Sequence, residues 1–467
     1  MTRIAVIGGG IAGLTAAHAL EKHRTKGAEL DYVLFEAGPR FGGVVQTEQL
    51  GDFVVEAGSD SFLTEKPWAA DLCRELGLGE QLITSNDSER RTYILLKDRL
   101  VPLPDGMMFM VPTDLAATFF SRLFSWHTKL RILQEWFYRP TPDVPESTVA
   151  EFVTRHFGRE MVARVADPLL AGVYGGSAEE LSVTAVLPRF AEIEAKQGSL
   201  ARAMVASRKL QSSSPRPVFT SLKNGMQSMS DALVASLPEP SRRLNAYIEA
   251  VKPESGKWLV VSRGRTEEFD GVILSVPAYV SGSFLRADCP QLGSELGEIR
   301  YSSSVTVALG YDERVLSSLP AGFGFLVPRT EGKHILACTF VHQKFANRAL
   351  GKRALIRCFL GGTRDEEILS MSDQQIERIV YRELSDILDI TAKPLLVRIY
   401  RWRKTMAQYA LGHRSRVERI RQLTSHIRGL ALAGNAYGGI GIPDCVRSGS
   451  EAVAKVLGDL AILSAGA

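Results

Sequence analysis

Arg3-Ile-Ala-Val-Ile7 runs into Gly8-Gly-Gly-Ile-Ala-Gly13, which is followed by Leu14 to Arg24 and then by Asp31 to Glu36. These segments read as strand, glycine turn, helix and second strand, the opening of a βαβ unit. Gly8, Gly10 and Gly13 permit a tight turn and a close backbone approach, so a pyrophosphate can sit where the N–H groups and dipole of the following helix favour negative charge. Gly9, Ile11 and Ala12 lie between them and belong to the same candidate cradle. Glu36 ends the second strand, placed to accept hydrogen bonds from a ribose hydroxyl pair, and an acid there disfavours a 2′-phosphate.

The far end of the chain repeats the theme. Gly429-Leu-Ala-Leu-Ala-Gly434 reads as a strand, a glycine-rich loop extends to Pro443, and a helix is expected from about Ser448 to Leu463. The two chain ends are therefore expected in one domain. Val218 to Thr220, Lys257 to Arg263, Gly271 to Val276, Ser304 to Tyr311 and Leu395 to Arg401 read as further strands, with a Ser/Pro-rich loop at Ser212 to Pro217.

With 467 residues, 45% of them hydrophobic, the chain can bury a large core divided into two or three lobes. A net charge of +4 produces no field of the kind that nucleic-acid binding needs. The five cysteines, Cys73, Cys289, Cys338, Cys358 and Cys445, are scattered and form no CxxC, which reads as reduced thiols in a cytoplasmic protein and not as a disulfide framework or zinc site. The strand at Arg3 to Ile7 leaves no room for a signal peptide, and no apolar run is long enough to span a bilayer. The eight histidines show no HExxH spacing and no GxSxG elbow occurs, so no metal site is expected. Between Pro102 and Pro140, Phe119, Phe120, Leu123, Phe124, Trp126, Leu130, Leu133, Trp136 and Phe137 interleave with Arg122, Lys129, Arg131 and Arg139. Such a segment suits either a core or lid helix pair or the inner surface of an anionic membrane.

Ala37-Gly-Pro-Arg40-Phe-Gly42-Gly43-Val44-Val-Gln-Thr47 resembles the R-x-G-G-x-x-x-S/T segment that follows the ribose acid in the flavin amine oxidase superfamily. The resemblance implies FAD as cofactor, with Ala37, Arg40, Gly42, Gly43 and Val44 beside it. Gly434 to Val446 resembles the superfamily's closing motif and implies contacts from Ile440, Gly441 and Ile442. Ile248 matches a position whose backbone pairs with adenine, and Trp402 matches the Trp of W-x-x-A-x-P-Q-Y, although Thr405 and Ala407 replace that motif's alanine and proline.

Within the superfamily, Glu56-Ala-Gly-Ser-Asp-Ser-Phe62, Lys66-Pro67, Asp167 to Gly176, Gly322 to Pro328 and Gly439 to Val446 resemble the protoporphyrinogen and coproporphyrinogen III oxidases. This implies an α/β fold: a Rossmann-like FAD-binding domain (1–95, 205–275 and 425–467), a helical membrane-associating lobe (96–185) and a mixed-sheet substrate domain (186–204 and 276–424). It places Ala57, Gly58, Ser59 and Asp60 at the FAD, and Lys66, Gly172 and Phe340 at a tetrapyrrole substrate. No side chain need act as a catalytic group, since flavin N5 takes the hydride. Dioxygen as electron acceptor, the next haem-pathway enzyme as recipient, a homodimer and a peripheral seat on the inner face of the cytoplasmic membrane are further implications. A carotenoid desaturase, an amine oxidase and a non-catalytic FAD scaffold stay open as alternatives. Protoporphyrinogen IX and coproporphyrinogen III are both open as substrates, with the last loop favouring the latter.

Overall fold

The computed structural model describes residues 1–140, 145–210 and 217–461; the loop expected at Ser212 to Pro217 lies outside them but for Pro217. The two chain ends share one sheet. Strands β1 (Thr2–Ile7), β2 (Leu30–Phe35), β3 (Arg242–Arg243), β4 (Gly271–Leu274) and β5 (Leu430–Leu432) pair in the order β3-β2-β1-β4-β5, all parallel. Ile4, Ala5, Val6 and Ile7 are all buried, as a parallel strand covered on both faces requires. Helix α1 (Ile11–Thr25) follows β1, and helix α2 (Ile442–Asp459) packs on it so closely that a Cβ on Gly449 would lie 2.3 Å from the Ala12 carbonyl oxygen. Helix α2 starts at Ile442, six residues before the expected Ser448. The glycine-rich loop therefore stops before Pro443, because proline is at home in a first helical turn, where its missing N–H has no partner to lose.

A second, seven-stranded sheet runs Leu396–Ala407, Tyr301–Tyr311, Ala354–Gly361, Ile335–Phe340, Gly324–Leu326, Thr92–Leu96 and Arg99–Pro102. All its pairings are antiparallel except that of Gly324–Leu326 with Thr92–Leu96. Alternation of period two divides its residues. Val305, Val307, Ile356, Cys358, Phe325 and Phe340 share a core with Ile376, Val380 and Leu384 of the helix Asp373–Leu388. Ser304, Thr306, Arg357 and Phe359 line a cavity.

From Leu115 to Leu210 the described residues are dominated by helices, and the run continues past 185 without a break into another architecture. The helix Trp126–Glu135 buries Thr128, Ile132 and Glu135. Its opposite side exposes Trp126, Leu130 and Leu133, followed by Phe137, with Phe120 beside them. His156 ties the lobe together, its ring nitrogens 3.0 Å from Glu135 Oε1 and 3.1 Å from Glu194 Oε1.

Candidate cofactor and substrate site

The glycine turn is built for close approach. A Cβ on Gly13 would stand 1.9 Å from the Gly8 carbonyl oxygen, so only glycine lets α1 start this near β1, whereas the same atom on Gly10 would meet nothing within 4 Å. That free side of Gly10 is a cradle. Gly42 N–H donates to the Gly9 carbonyl at 2.8 Å, and Gly43, at φ 58°, would bring a Cβ to 3.2 Å from Gly10 Cα, so the two glycine segments close on each other. Arg40 donates to the carbonyls of Phe41, Val45 and Gly43 and thereby folds that second loop.

Glu36 faces the turn, its carboxylate accepting the N–H groups of Gly9 and Gly38, each at 2.7 Å. Each oxygen keeps a lone pair for a ribose hydroxyl. Ala246 N–H donates to the Glu36 carbonyl, which brings Ile248, two residues on and buried, to the same end of the cleft. Ala37 is exposed just beyond Glu36, while Ile11 and Ala12 are buried in the first turn of α1. Helix α1 starts at the free face of Gly10, where its N–H groups and dipole favour a pyrophosphate, and Gly441, which precedes α2, lines the larger cavity with Ile440 and Ile442. Tyr409 secures the final glycine loop by donating to the Asn435 carbonyl at 2.7 Å and accepting Gly439 N–H at 2.9 Å. His413 stacks on it, with centroids 4.0 Å apart.

Beyond the cradle lie two cavities of about 480 and 1170 Å³ that share Ser59, Ser61, Val173, Phe219, Met406 and Ile440 as wall. Val44, Gly58, Asp60 and Trp402 line the smaller one. A Cβ on Gly58 would lie 1.9 Å from the Val44 carbonyl oxygen, so the 57–60 segment stacks directly on the second glycine loop. Trp402 Nε1–H donates to the Ala57 carbonyl at 3.0 Å, and Arg357 donates to the Ala57 and Gly58 carbonyls. Gly172 belongs to the helix Asp167–Tyr174 and faces the second sheet, where its Cβ would touch Leu326 and Ala337 at 3.6 Å. A side chain larger than alanine there would push helix and sheet apart.

Two of the expected substrate contacts are placed differently. Phe340 is fully buried against Phe325 in the core behind the sheet and lines neither cavity, because its position in the alternation points it away; Phe359, on the neighbouring strand, lines the smaller cavity instead. Lys66 lines the larger cavity, but both oxygens of Asp444, in the first turn of α2, accept from its ammonium at 2.8 and 2.6 Å. Arg357, on the strand Ala354–Gly361, and Lys344, ending the short helix Val341–Lys344, carry no recognisable motif, and only the tertiary fold brings them to the wall of the cavity.

A two-loop dinucleotide cradle with a ribose acid narrows the cofactor to a dinucleotide, and comparison with known proteins decides which. The model of the family "Flavin containing amine oxidoreductase" matches residues 11–457. The chain belongs to that family. Its cofactor is accordingly FAD, and the free face of Gly10, the Glu36 carboxylate and the start of α1 fit it. Among individual relatives of this flavin amine oxidoreductase, the coproporphyrinogen III oxidase of Bacillus subtilis strain 168 is 31% identical over 97% of each chain. The chloroplastic protoporphyrinogen oxidase of Nicotiana tabacum is 27% identical over 97% of this chain and 85% of its own. A crystal structure from Exiguobacterium sp. 255-15, provisionally described as a protoporphyrinogen oxidase, superposes with a TM-score of 0.87 at 30% identity, covering 98% of this chain and 99% of its own.

Proposed function

We propose that the chain is an FAD-dependent oxidase that converts a porphyrinogen, coproporphyrinogen III in preference, into the porphyrin for haem synthesis, with dioxygen as electron acceptor. The observation that carries this reading is the slot formed by the smaller cavity: the helix with Gly172, the second sheet and the FAD segment 57–60 line it, with mostly apolar side chains and the cations Lys344 and Arg357 in its wall. A tetrapyrrole edged with carboxylates needs such a space.

The overall change removes six hydrogens from the macrocycle, as three hydrides from carbon and three protons, and three dioxygen molecules become three of hydrogen peroxide. The flavin supplies a two-electron acceptor that can be reoxidised between rounds. The chain's own part is placement. Gly172 lets its helix approach the sheet at one edge of the cavity, while Leu326, Leu336, Phe323 and Phe359 give the ring an apolar wall. Trp402 and Arg357 hold the Ala57 carbonyl and with it the segment between substrate and cofactor.

Both porphyrinogens, prepared anaerobically and mixed with the FAD-loaded protein in air, test this directly. Porphyrin fluorescence is expected to rise faster than in the enzyme-free control, and faster from coproporphyrinogen III. No acceleration with either would sink the reading while leaving FAD binding intact.

A peripheral seat on an anionic lipid surface belongs to the same proposal. No helix among the described residues is long and apolar enough to cross a membrane. The exposed row Trp126, Leu130, Leu133 and Phe137 has helical spacing, and Lys129 lies 5.1 Å from the Trp126 ring. Apolar insertion flanked by cations is how an interfacial helix holds to anionic lipid. The full protein is expected to sediment with vesicles containing phosphatidylglycerol, and Trp126→Ser with Phe137→Ser to weaken this at least about tenfold, given ~1.5–3 kcal/mol per large apolar side chain buried. Equal sedimentation of both proteins would refute the lipid contact.

A further inference from the structure

Five ionisable side chains meet beside the smaller cavity. Lys344 Nζ is 3.2 Å and Arg357 Nη1 3.7 Å from Asp60 Oδ2, and Arg348 Nη2 is 3.3 Å from Glu56 Oε1. All three cations are buried, at 9%, 3% and 0% exposure for Lys344, Arg357 and Arg348. Burial alone would raise the Asp60 carboxyl, but Lys344 and Arg357 hold it far below the usual range, so it is ionised. Even with Glu56 ionised too, three positive charges face two negative ones. Burial pushes Glu56 upward, and its protonation would enlarge the surplus. Arg357 Nε also has no hydrogen-bond partner among the described residues. A surplus buried cation is costly unless an anion completes it.

Of the three, Arg357 and Lys344 line the cavity, and Arg348 does not. We infer that Arg357 and Lys344 form a receptor for a substrate carboxylate on the buried side of the cavity, and that this receptor selects coproporphyrinogen III over protoporphyrinogen IX. The inference rests on the porphyrinogen reading. Coproporphyrinogen III carries a propionate on each pyrrole, so a carboxylate reaches the buried cations while others stay at the mouth. Protoporphyrinogen IX has propionates on one edge only. With that edge at the mouth, its vinyl-bearing edge would leave the cations unpaired, a form of rejection by an unsatisfied polar group. Lys66 does not duplicate this role, since Asp444 already neutralises it.

The test compares kcat/KM for both porphyrinogens in wild type, Arg357→Met, Arg357→Lys and Lys344→Met, and titrates coproporphyrin III and protoporphyrin IX against each FAD-loaded protein. The preference for coproporphyrinogen III is expected to fall ~10- to 100-fold in both methionine variants, the scale of a lost charged hydrogen bond, chiefly through KM, with matching loss of relative coproporphyrin affinity. Arg357→Lys should recover part of it. Lys344→Met is informative because Lys344 does not bond the 57–58 carbonyls, so it leaves that contact in place. A preference within about threefold of wild type in both methionine variants overturns the inference, as does loss of FAD from both, which would assign the pair to the cofactor. Failure of wild type to oxidise either porphyrinogen would count against the reaction itself, and the porphyrin titrations would then decide on the receptor alone.

Discussion

A Gly13→Val variant is expected to be recovered without FAD. The added Cβ would lie 1.9 Å from the Gly8 carbonyl oxygen and 2.5 Å from Ser275 Oγ, and the first of these is backbone that cannot swing aside. Ser275 is itself fixed, because its hydroxyl donates to the carbonyls of Ile7 and Gly8. Relief therefore requires the start of α1 to move off β1. Its free N–H groups would move with it, and the pyrophosphate would lose both hydrogen bonds and dipole. Valine adds two methyl groups and a helix-disfavouring branch to that clash. Flavin absorbance per chain should fall from stoichiometric to undetectable, with turnover lost in step. A Gly10→Ala variant, whose Cβ meets no protein atom within 4 Å, serves as the contrast: it should fold normally and lose FAD affinity only as far as the methyl group intrudes on the cofactor. Normal FAD content in Gly13→Val would show that the close approach of α1 is not what holds the cofactor.

Arg348→Met is expected to have the largest effect on stability. Arg348 is wholly buried, donates to Ser221 Oγ at 2.6 Å and to the Lys223 carbonyl at 3.4 Å, and faces Glu56. Glu56 cannot escape, since its carboxylate accepts Met226 N–H at 2.8 Å and the Thr47 hydroxyl at 2.7 Å. Removing one partner of a buried pair leaves the other uncompensated, at about 3–5 kcal/mol. The urea midpoint should drop accordingly, and Glu56→Gln added to Arg348→Met should recover a substantial part of the loss. The pH dependence has a definite sign. Burial raises the Glu56 carboxyl above its ordinary value even with Arg348 present, so its contribution is full below that ordinary value and is lost as pH rises through the folded one. Without the guanidinium the folded value climbs further, so the deficit of Arg348→Met against wild type should widen as pH rises through that range. A flat difference, or additive single and double variants, would show that the two side chains do not act as a pair.

Much of the cofactor cleft was legible in the chain because its parts are local. A turn that needs glycine at Gly8, Gly10 and Gly13, and an acid at the end of the next strand, are dictated by backbone sterics and hydrogen bonding over a short span. The Arg40 to Val44 loop was legible by its motif, although Arg40 proves to bond its own loop's carbonyls. The position of α2 was less so: Pro443 breaks a helix interior and opens a helix start equally well, and only the packing of Gly449 on Ala12 shows which.

The substrate side was harder to read. Phe340 and Phe359 are both aromatic, both on strands of one sheet, and a shift of one residue in register would exchange core for cavity at either. The alternation places Phe359 in the slot and Phe340 behind it. Lys66 could be recognised as a cation beside the site, but its partner Asp444 lies 378 residues away. Glycine geometry, strand periodicity and the family membership they announce belong to short stretches of chain, and so the amino-acid order sufficed for them. Which face each side chain takes, and which charges neutralise one another, depends on segments brought together from Glu56, Lys344, Arg357 and Asp444, and nothing short of the folded chain could settle those.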